Sequence, residues 1–454
     1  MAKIGFDFPE KPSKTALYEV EDWYQHLLAE RLDREYQPIK RSNFGEYDMA
    51  VNYLTSVLEE AKAIEKVAIF NIDHMAQIRF TGKDAVTLLD RVLPANVAVM
   101  KTGQCKYSLL LTGKGTVLDD LIVMRFAEDD FIIVINAGHD ITDEARGMKA
   151  DIDVIMSYKK DGEDVTAKDI SDDLVKIDVQ GPLSYKLITR LYGNSVVKNR
   201  KKPEKNMGFF TFNEFDFKGQ RYILSRTGYT NRWGWELYVP VQVAEEQFKR
   251  IALEALELGG LVVGLGGRDE NRISAGNFGL PLNGSEYNPK HTPTNCPLFK
   301  AAIDMEKEDF IGKKALEKDK ANDKKMVLFI TEGIVSGRSI YKDGTRIGTV
   351  TSSINSPNVS QEKREFIGSQ RKNVLEENGT AAIGLGWVYH NPFNVDEDGK
   401  DILMENEKPV RIRVEFYRED ESGNPKGKPV LGYISGGGVN PATAPRPLKH
   451  IQNL

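Results

Sequence analysis

The chain has 454 residues, of which 40% are hydrophobic and 28% charged, and its formal net charge is -5. This length exceeds that of one ordinary domain, and the negative balance argues against nucleic acid as the main partner. Because no apolar run could span a membrane and the N-terminus has no signal-peptide core, we expect a cytoplasmic protein with no membrane contact. The two cysteines and six histidines form no metal-ligand spacing, so no metal site is expected.

The N-terminal part mixes apolar and charged residues at near-helical spacing. Residues 15–35 and 46–65 both show this pattern, and each predicts a helix. We assign residues 1–45 to an N-terminal helical arm. Antiparallel-looking strands and helices then alternate as far as residue 135, an order typical of the α+β class.

A similar alternation recurs from residue 174 to residue 258, with no sequence repeat. We therefore predict one α+β region over residues 46–325, divided into two subdomains by a break near 160–205. A basic run at 198–205 lies in this break and is typical of a solvated loop.

The composition changes after a lysine-rich stretch, and short strands alternate with Asp, Gly and Asn turns. Residues 326–454 are therefore predicted to form a C-terminal all-β domain. The segment 341–346 is a strong hairpin signal. Residues 355–380 are polar and irregular, which predicts a surface insertion.

Two adjacent acids, Asp119 and Asp120, lie between a glycine-rich turn and an apolar, β-branched run. Successive strand residues point to opposite faces, so one acid can face a cavity while the other does not. A carboxylate on an interior face is costly unless it is hydrogen-bonded, paired or used in chemistry. The alternative is that both acids cap the turn.

A second segment, SRTGYTNRWGWE (225–236), combines a glycine turn, an aromatic cluster and the acid Glu236. A flat heteroaromatic ligand needs ring faces to stack on and a carboxylate that accepts paired N–H donors. The alternative is an aromatic hairpin that packs on the core.

The glycine-rich segment GLGGRD (264–269) is predicted to open a helix from Asp269 to Ala275, with Arg268 at its start. This placement suits a contact with a carboxylate or phosphate group. The alternative is a helix-cap turn with an exposed arginine. The segment is not a dinucleotide fingerprint.

Read in order, these segments resemble the aminomethyltransferase family, whose type member is the folate-binding T-protein of the glycine cleavage system. The matching stations are FNIDHM (70–75), QCKYSLLL (104–111), GTVLDDLIV (115–123), IVINA (133–137), VQGP (179–182), SRTGYTNRWGWE (225–236), GLGGRD (264–269), DFIGKKAL (309–316) and GTVTSS (348–353). The ordered set runs from residue 70 to residue 353 and is specific to the family.

The resemblance implies a three-part cloverleaf in which two α+β parts and a C-terminal β-barrel surround a central folate-binding hole. Asp120 would be the catalytic acid beside the folate nitrogens, and Glu236 would pair with the pterin ring. Arg268 would lie near the carboxylate-bearing or substrate side. The folate-lining residues that the resemblance implies are Tyr107, Asn136, Tyr229, Arg268 and Met75.

The chain departs from the T-protein pattern around the substrate side. T-proteins usually read FDVSHM, GYTGE and GARDTLRLEAG where this chain reads FNIDHM, GYTNRWGWE and GGRDENRISAG. These differences indicate a folate-dependent demethylase or methyltransferase relative, which moves a methyl group from a small methylated donor to N5 of tetrahydrofolate, its co-substrate. The alternatives are the aminomethyltransferase itself, with a lipoyl carrier protein as partner, and a non-catalytic folate-binding protein.

Overall fold

The structure is a computed structural model that describes residues 12–138, 150–276, 278–288, 290–319, 324–357, 381–397, 402–405 and 408–435. Over these ranges it contains two mixed regions of helices and strands followed by a closed β-barrel. The α+β class with a C-terminal barrel, expected from the sequence, is confirmed. None of the described helices is long and apolar enough to cross a membrane.

The N-terminal part consists of a helix, a hairpin and a short second helix. Their bounds are α1 Tyr18–Leu32, β1 Lys40–Phe44, β2 Tyr47–Asn52 and α2 Val57–Lys62. The single helix predicted over residues 46–65 is therefore wrong, because β2 pairs with β1 as an antiparallel strand. A capping box between Ser56 and Glu59 starts α2 only at Val57, since each side chain accepts the other's backbone N–H.

The first α+β part contains a five-stranded sheet in the order β5-β6-β7-β4-β8. The elements of this stretch are β3 Ala68–Asn71, β4 Ala76–Thr81, α3 Ala85–Val92, β5 Cys105–Leu111, β6 Val117–Arg125, β7 Asp130–Ile135, α4 Asp151–Met156 and β8 Thr166–Asp169. Helix α3 buries Leu88 and Leu89 in a core with Phe80, Val123 and Ile133. This apolar packing holds one face of the sheet and leaves the other face for the site.

The second part contains a six-stranded sheet in the order β12-β13-β14-β9-β3-β15. Its elements are β9 Leu174–Gln180, α5 Ser184–Tyr192, β10 Lys198–Asn199, β11 Lys202–Asn206, β12 Phe212–Phe217, β13 Gln220–Ser225, β14 Gly234–Pro240, α6 Ala244–Glu257, β15 Leu261–Val262 and α7 Leu265–Ile273. Strand β3 comes from earlier in the chain and lies between β9 and β15, so the two α+β parts are tied together. The basic run at 198–205 includes the separate pair β10–β11.

Helix α7 begins at Leu265, upstream of the start at Asp269 that the sequence predicted. The glycines before Asp269 lie at or within the start of the helix and allow it to pack closely, and they do not form an open loop. A Cβ added to Gly264 would lie 2.4 Å from the carbonyl oxygen of Val51 in β2. Arg268 consequently lies within the first turn of α7, and the helix is pressed against the N-terminal hairpin.

The C-terminal part closes into a barrel with strand order β16-β19-β18-β17-β22-β23. The remaining elements are α8 Pro297–Ala301, α9 Lys313–Lys318, β16 Lys325–Thr331, β17 Ser339–Lys342, β18 Thr345–Asn355, β19 Ala382–Val388, β20 Met404–Glu405, β21 Lys408–Pro409, β22 Arg411–Glu419 and β23 Pro425–Ser435. The predicted hairpin at 341–346 is present, and Asp343 and Gly344 at its tip both have positive φ, as a tight primed turn requires. Of the predicted insertion at 355–380, residues 358–380 lie outside the described ranges.

A buried network around Arg272 fixes the barrel against α7. Its guanidinium donates to Asp269 Oδ1 at 2.7 Å, to Glu286 Oε2 at 2.9 Å and to Ser352 Oγ in the barrel at 3.0 Å. The indole N–H of Trp387, also in the barrel, donates to the carbonyl of Glu286 at 2.8 Å. This network therefore joins α7, the segment around Glu286 and the barrel.

Candidate functional site

A cavity of about 340 Å³ lies between the two α+β parts. The seven residues that the sequence singled out all line it: Asp120, Glu236, Tyr107, Asn136, Tyr229, Arg268 and Met75. The structure thus brings together side chains from the loop after β3, from β5, from β6, from the end of β7, from β14 and its preceding loop, and from α7. Cavities of this size are typical of small-molecule sites.

The two adjacent acids on β6 differ in burial and in exposure to the cavity. Asp120 lines the cavity and is half-buried, whereas Asp119 is fully buried. Asp119 Oδ1 accepts from Asn136 and Asn283, each at 2.9 Å. Asp119 therefore ties β6 to neighbouring segments, and Asp120 is the acid that faces the cavity.

Asp120 is held by three side-chain donors. Its Oδ2 accepts from Tyr107 OH at 3.0 Å, and its Oδ1 accepts from Asn136 Nδ2 at 2.9 Å and from Tyr287 OH. Three donors restrict the carboxylate to one orientation. Tyr287 was not recognised in the sequence, because it lies 167 residues away in a segment with no motif.

The surroundings of Asp120 shift its pKa in opposite directions. Burial, and then the charge of Asp119, raise the pKa of Asp120 to about 6, although the hydrogen bonds from Tyr287, Tyr107 and Asn136 lower it. A carboxyl group with such a pKa exchanges its proton near neutral pH, as a general acid or base must. Burial also raises the pKa of Tyr107 and Tyr287 well above the ordinary value, so both phenols stay protonated and act as donors.

The opposite wall of the cavity is formed by one face of the six-stranded sheet. Glu236 on β14 and Lys176 on β9 both line the cavity, and Lys176 Nζ lies 3.2 Å from Glu236 Oε1. The other oxygen, Oε2, accepts from Thr227 Oγ1. Because each carboxylate oxygen has two lone-pair directions, Glu236 keeps acceptor capacity for a ligand.

Lys176 is a site residue that the sequence analysis missed. Its signal was present, because LVKIDVQ places Lys176, Asp178 and Gln180 at alternate positions of an otherwise apolar buried strand. Such residues share one face. Burial, and then the charge of Glu236, raise the pKa of Asp178 to about 7.

The cation Arg268 lies at the junction of two cavities. The second cavity, of about 190 Å³, shares Phe44, Tyr229, Arg268 and Leu282 with the larger one. The guanidinium carbon of Arg268 lies 5.0 Å from the centroid of the Tyr229 ring. Its buried Nε has no hydrogen-bond partner among the described residues. Arg268 is half-buried and lines both cavities, and its contact with an anionic group stays a prediction.

His74 adds a neutral imidazole to the cavity wall. Burial, with the charges of Arg268 and Lys176, holds its pKa well below the ordinary value. Its ring lies 4.9 Å from that of Phe44 in an edge-on arrangement. The hairpin β1–β2 therefore contributes to the site through Phe44, a residue that the sequence analysis did not single out.

Two departures from the T-protein pattern anchor the N-terminal arm. Where that pattern reads FDVSHM, this chain has Asn71 and Asp73 in place of the aspartate and the serine. Asn71 Nδ2 donates to Glu21 Oε1 of α1 at 2.8 Å, and the backbone N–H of Ala16 donates to Asp73 Oδ2 at 2.8 Å. A third departure, Asn231, lines the cavity with a left-handed backbone.

Known proteins resemble this chain over most of its length. Residues 37–307 match the family model described as the GCVT N-terminal domain. An aminomethyltransferase of Desulfitobacterium hafniense is 32% identical over 332 residues, covering 71% of this chain and 84% of that protein. One of Corynebacterium jeikeium is 32% identical over 355 residues, covering 73% of this chain and 85% of that protein.

A solved structure shows the same fold. The crystal structure of glycine cleavage system aminomethyltransferase T from Bartonella henselae matches with a TM-score of 0.67 and 24% sequence identity, covering 93% of this chain and 96% of that one. The family model and the curated relatives confirm the family that the ordered motifs resembled. The chain belongs to the GCVT family of aminomethyltransferases, a family of one-carbon-group transferases.

Proposed function

We propose that this enzyme transfers a one-carbon group to N5 of tetrahydrofolate bound in the larger cavity. The observation that carries the proposal is the pairing of two differently held carboxylates in one cavity. Asp120 is held by three donors and has a raised pKa, whereas Glu236 lies against a cation on the opposite wall. One carboxylate is thus suited to proton chemistry and the other to recognition.

Glu236 would bind the pterin ring through its remaining acceptor positions. A tetrahydropterin presents an amino group and an adjacent ring N–H, which a carboxylate accepts as a pair. The aromatic side chains of Tyr107, Tyr229 and Phe44 line the same cavity and supply apolar surface for the ring system. Asn136 would support the site mainly by orienting Asp120, and Met75 by filling space beside Lys176.

Asp120 would accept the proton that N5 loses as the new carbon–nitrogen bond forms. In its ionised form it would also stabilise the positive charge that develops on the nitrogen. Tyr107, Tyr287 and Asn136 keep the carboxylate in place during the step. Positioning of this kind accounts for much of the rate in group transfer.

The donor supported by the relatives is an aminomethyl group. Both curated relatives are named aminomethyltransferase, and the solved neighbour is described as aminomethyltransferase T of the glycine cleavage system. We therefore place first a reaction in which a lipoyl carrier protein presents the aminomethyl group on sulfur. The carbon would form bonds to N5 and N10 of tetrahydrofolate as its bonds to nitrogen and sulfur break, so that ammonia leaves and the carrier regains a free thiol. The product would be 5,10-methylene-tetrahydrofolate.

The second candidate is methyl transfer from a small methylated donor. The observation in its favour is the second cavity, whose volume of about 190 Å³ suits a small molecule and which meets the larger cavity at Arg268 and Tyr229. Asn231, one of the residues that depart from the T-protein pattern, also lines the larger cavity. The product would be 5-methyl-tetrahydrofolate.

The test is anaerobic incubation of the full chain with tetrahydrofolate and a donor panel. The panel contains an aminomethyl-lipoyl carrier, methylated amines, methoxylated aromatics and methylated sulfonium compounds. Formation of 5,10-methylene-tetrahydrofolate and ammonia with the carrier supports the first donor, whereas 5-methyl-tetrahydrofolate supports the second. Tight folate binding with no product from any donor would favour a non-catalytic folate-binding protein, and absence of folate binding would overturn the proposal.

A further inference from the structure

We infer that Lys176 determines which pterin-like rings the cavity accepts, by donating a hydrogen bond to the oxygen at ring position 4. This assignment deepens the proposed function and rests on it. It concerns a residue to which neither the motifs nor the family resemblance assigned a role. The argument starts from the contacts of Lys176 and the hydrogen-bonding pattern of the ring edge.

Lys176 is placed by the register between two strands. Position 176 on β9 lies opposite Tyr238 on β14, and position 178 lies opposite Glu236. Lys176 and Glu236 are therefore diagonal neighbours on one face, a spacing of about 7–8 Å between backbones that long side chains bridge. The bridge is observed, with Nζ 3.2 Å from Oε1.

The ammonium group retains capacity for a ligand. Lys176 is 1% exposed and lines the cavity. Its Nζ has three N–H donors, and the described part of the chain offers two hydrogen-bonding or ion-pair partners, Glu236 Oε1 and, at 3.6 Å, the Met75 sulfur. The Tyr238 ring, 5.4 Å from Nζ, adds a cation–π contact but no acceptor atom. A buried donor without an acceptor is costly, so a ligand oxygen at this point would be strongly favoured.

The ring edge of a 4-oxo pterin matches the Lys176–Glu236 pair. Along that edge the amino group and the N3–H are donors, and the oxygen at position 4 is an acceptor. Glu236 accepts from the two donors, and Lys176, adjacent to Glu236, donates to the oxygen. A ring with an amino group at position 4 would direct N–H groups at the ammonium, which repels them, and its N3 would present a lone pair in place of the N–H that Glu236 accepts.

The experiment compares equilibrium binding of tetrahydrofolate and of its 4-amino-4-deoxy counterpart to the full chain under anaerobic conditions. The wild type should prefer the 4-oxo ring by about ten-fold or more, the size expected for a charged hydrogen bond. Lys176→Met should move the ratio of the two dissociation constants about ten-fold toward one. The part of the preference that comes from the N3–H, which Glu236 accepts and the 4-amino ring lacks, should remain. The selectivity ratio is the readout because general weakening of the site affects both ligands alike.

Two further variants keep the test decisive. Lys176→Arg retains the positive charge and the donors, and it should keep a preference for the 4-oxo ring. If Lys176→Met does not fold because Glu236 is left unpaired, the double variant Lys176→Met with Glu236→Gln removes both charges, and its ratio should likewise move toward one.

The binding results distinguish a failure of the proposed function from a failure of the assignment of Lys176. Absence of tetrahydrofolate binding to the wild type overturns the proposed function and this assignment with it. Retained tetrahydrofolate binding with a ratio near one in the wild type, or with an unchanged ratio in Lys176→Met, overturns this assignment alone.

Discussion

Asp119 and Asp120 are neighbours on β6 that share a hydrogen-bond donor but differ in their exposure to the cavity. Asp119 is fully buried and accepts hydrogen bonds from Asn136 and Asn283, whereas Asp120 lines the cavity. Asn136 Nδ2 contacts both carboxylates at 2.9 Å and so couples their positions. One acid therefore anchors the strand while the other stays available to a ligand.

Replacement of Asp120 by Asn should reduce turnover far more than folate affinity. Asn keeps the shape and part of the hydrogen bonding but cannot take up a proton. We expect turnover to fall by about 10²–10⁴-fold, as for loss of a general base. Tetrahydrofolate affinity should change little.

The measurement for this variant is a comparison of kcat with the dissociation constant of tetrahydrofolate. Asp130→Asn is the matched control, because Asp130 lies on the adjacent strand β7 and pairs with Arg79. An equal loss of affinity and turnover in Asp120→Asn would make Asp120 a binding residue only.

Tyr287→Phe should move the acid limb of the pH–rate profile to higher pH. The hydrogen bond from Tyr287 stabilises ionised Asp120 and lowers its pKa, so its removal raises that pKa above about 6. Protonation then removes the active carboxylate at a higher pH than in the wild type. The check is kcat from pH 5 to 8, with Tyr341→Phe in the barrel as control, and an unmoved limb would contradict the role of Tyr287.

Glu236→Gln should weaken tetrahydrofolate binding by about ten-fold or more, because a charged acceptor on the cavity wall is replaced by a neutral one. Isothermal titration with tetrahydrofolate measures the loss. Glu246→Gln, on the exposed face of α6 where Glu246 pairs with Lys218, should leave the affinity unchanged. Wild-type affinity in Glu236→Gln would remove Glu236 from the binding site.

Arg272→Met should destabilise the fold by about 3–5 kcal/mol, because removal of one partner leaves a buried charge uncompensated. The charge concerned is that of Glu286, which is fully buried and paired with Arg272 at 2.9 Å. Denaturant unfolding measures the effect. The control Arg190→Met breaks an ion pair with Glu254 at the surface and should lower the free energy of unfolding by no more than about 1 kcal/mol. Equal losses of unfolding free energy in both variants would show that the buried network contributes no more than a surface pair.

Gly264→Ala should destabilise the protein by about 1–3 kcal/mol through overpacking. The added Cβ would lie 2.4 Å from the carbonyl oxygen of Val51, and backbone atoms cannot move aside easily. Gly113→Ala is the matched control, because a Cβ there meets nothing within 4 Å. Thermal unfolding of the two variants provides the comparison, and similar midpoints would refute the packing argument.

Several features of this protein were determined by local sequence. The alternation along LDDLIV predicts that only one of the two acids faces a cavity, since the side-chain period of a strand is two, and Asp120 alone lines it. Asp343–Gly344 marks a hairpin because both residues tolerate positive φ, and the structure has this turn. The ordered motifs identified the family because each motif is a short run of residues that can be recognised in the sequence without knowledge of the fold.

Other features were decided only by the tertiary structure. Tyr287 reaches Asp120 across 167 residues, and Lys176 meets Glu236 because β9 pairs with β14. The helix prediction over 46–65 was wrong because the pairing of β2 with β1 outweighed the apparent helical spacing. Strand order and helix packing set these contacts, and no local pattern encodes which distant segments become neighbours.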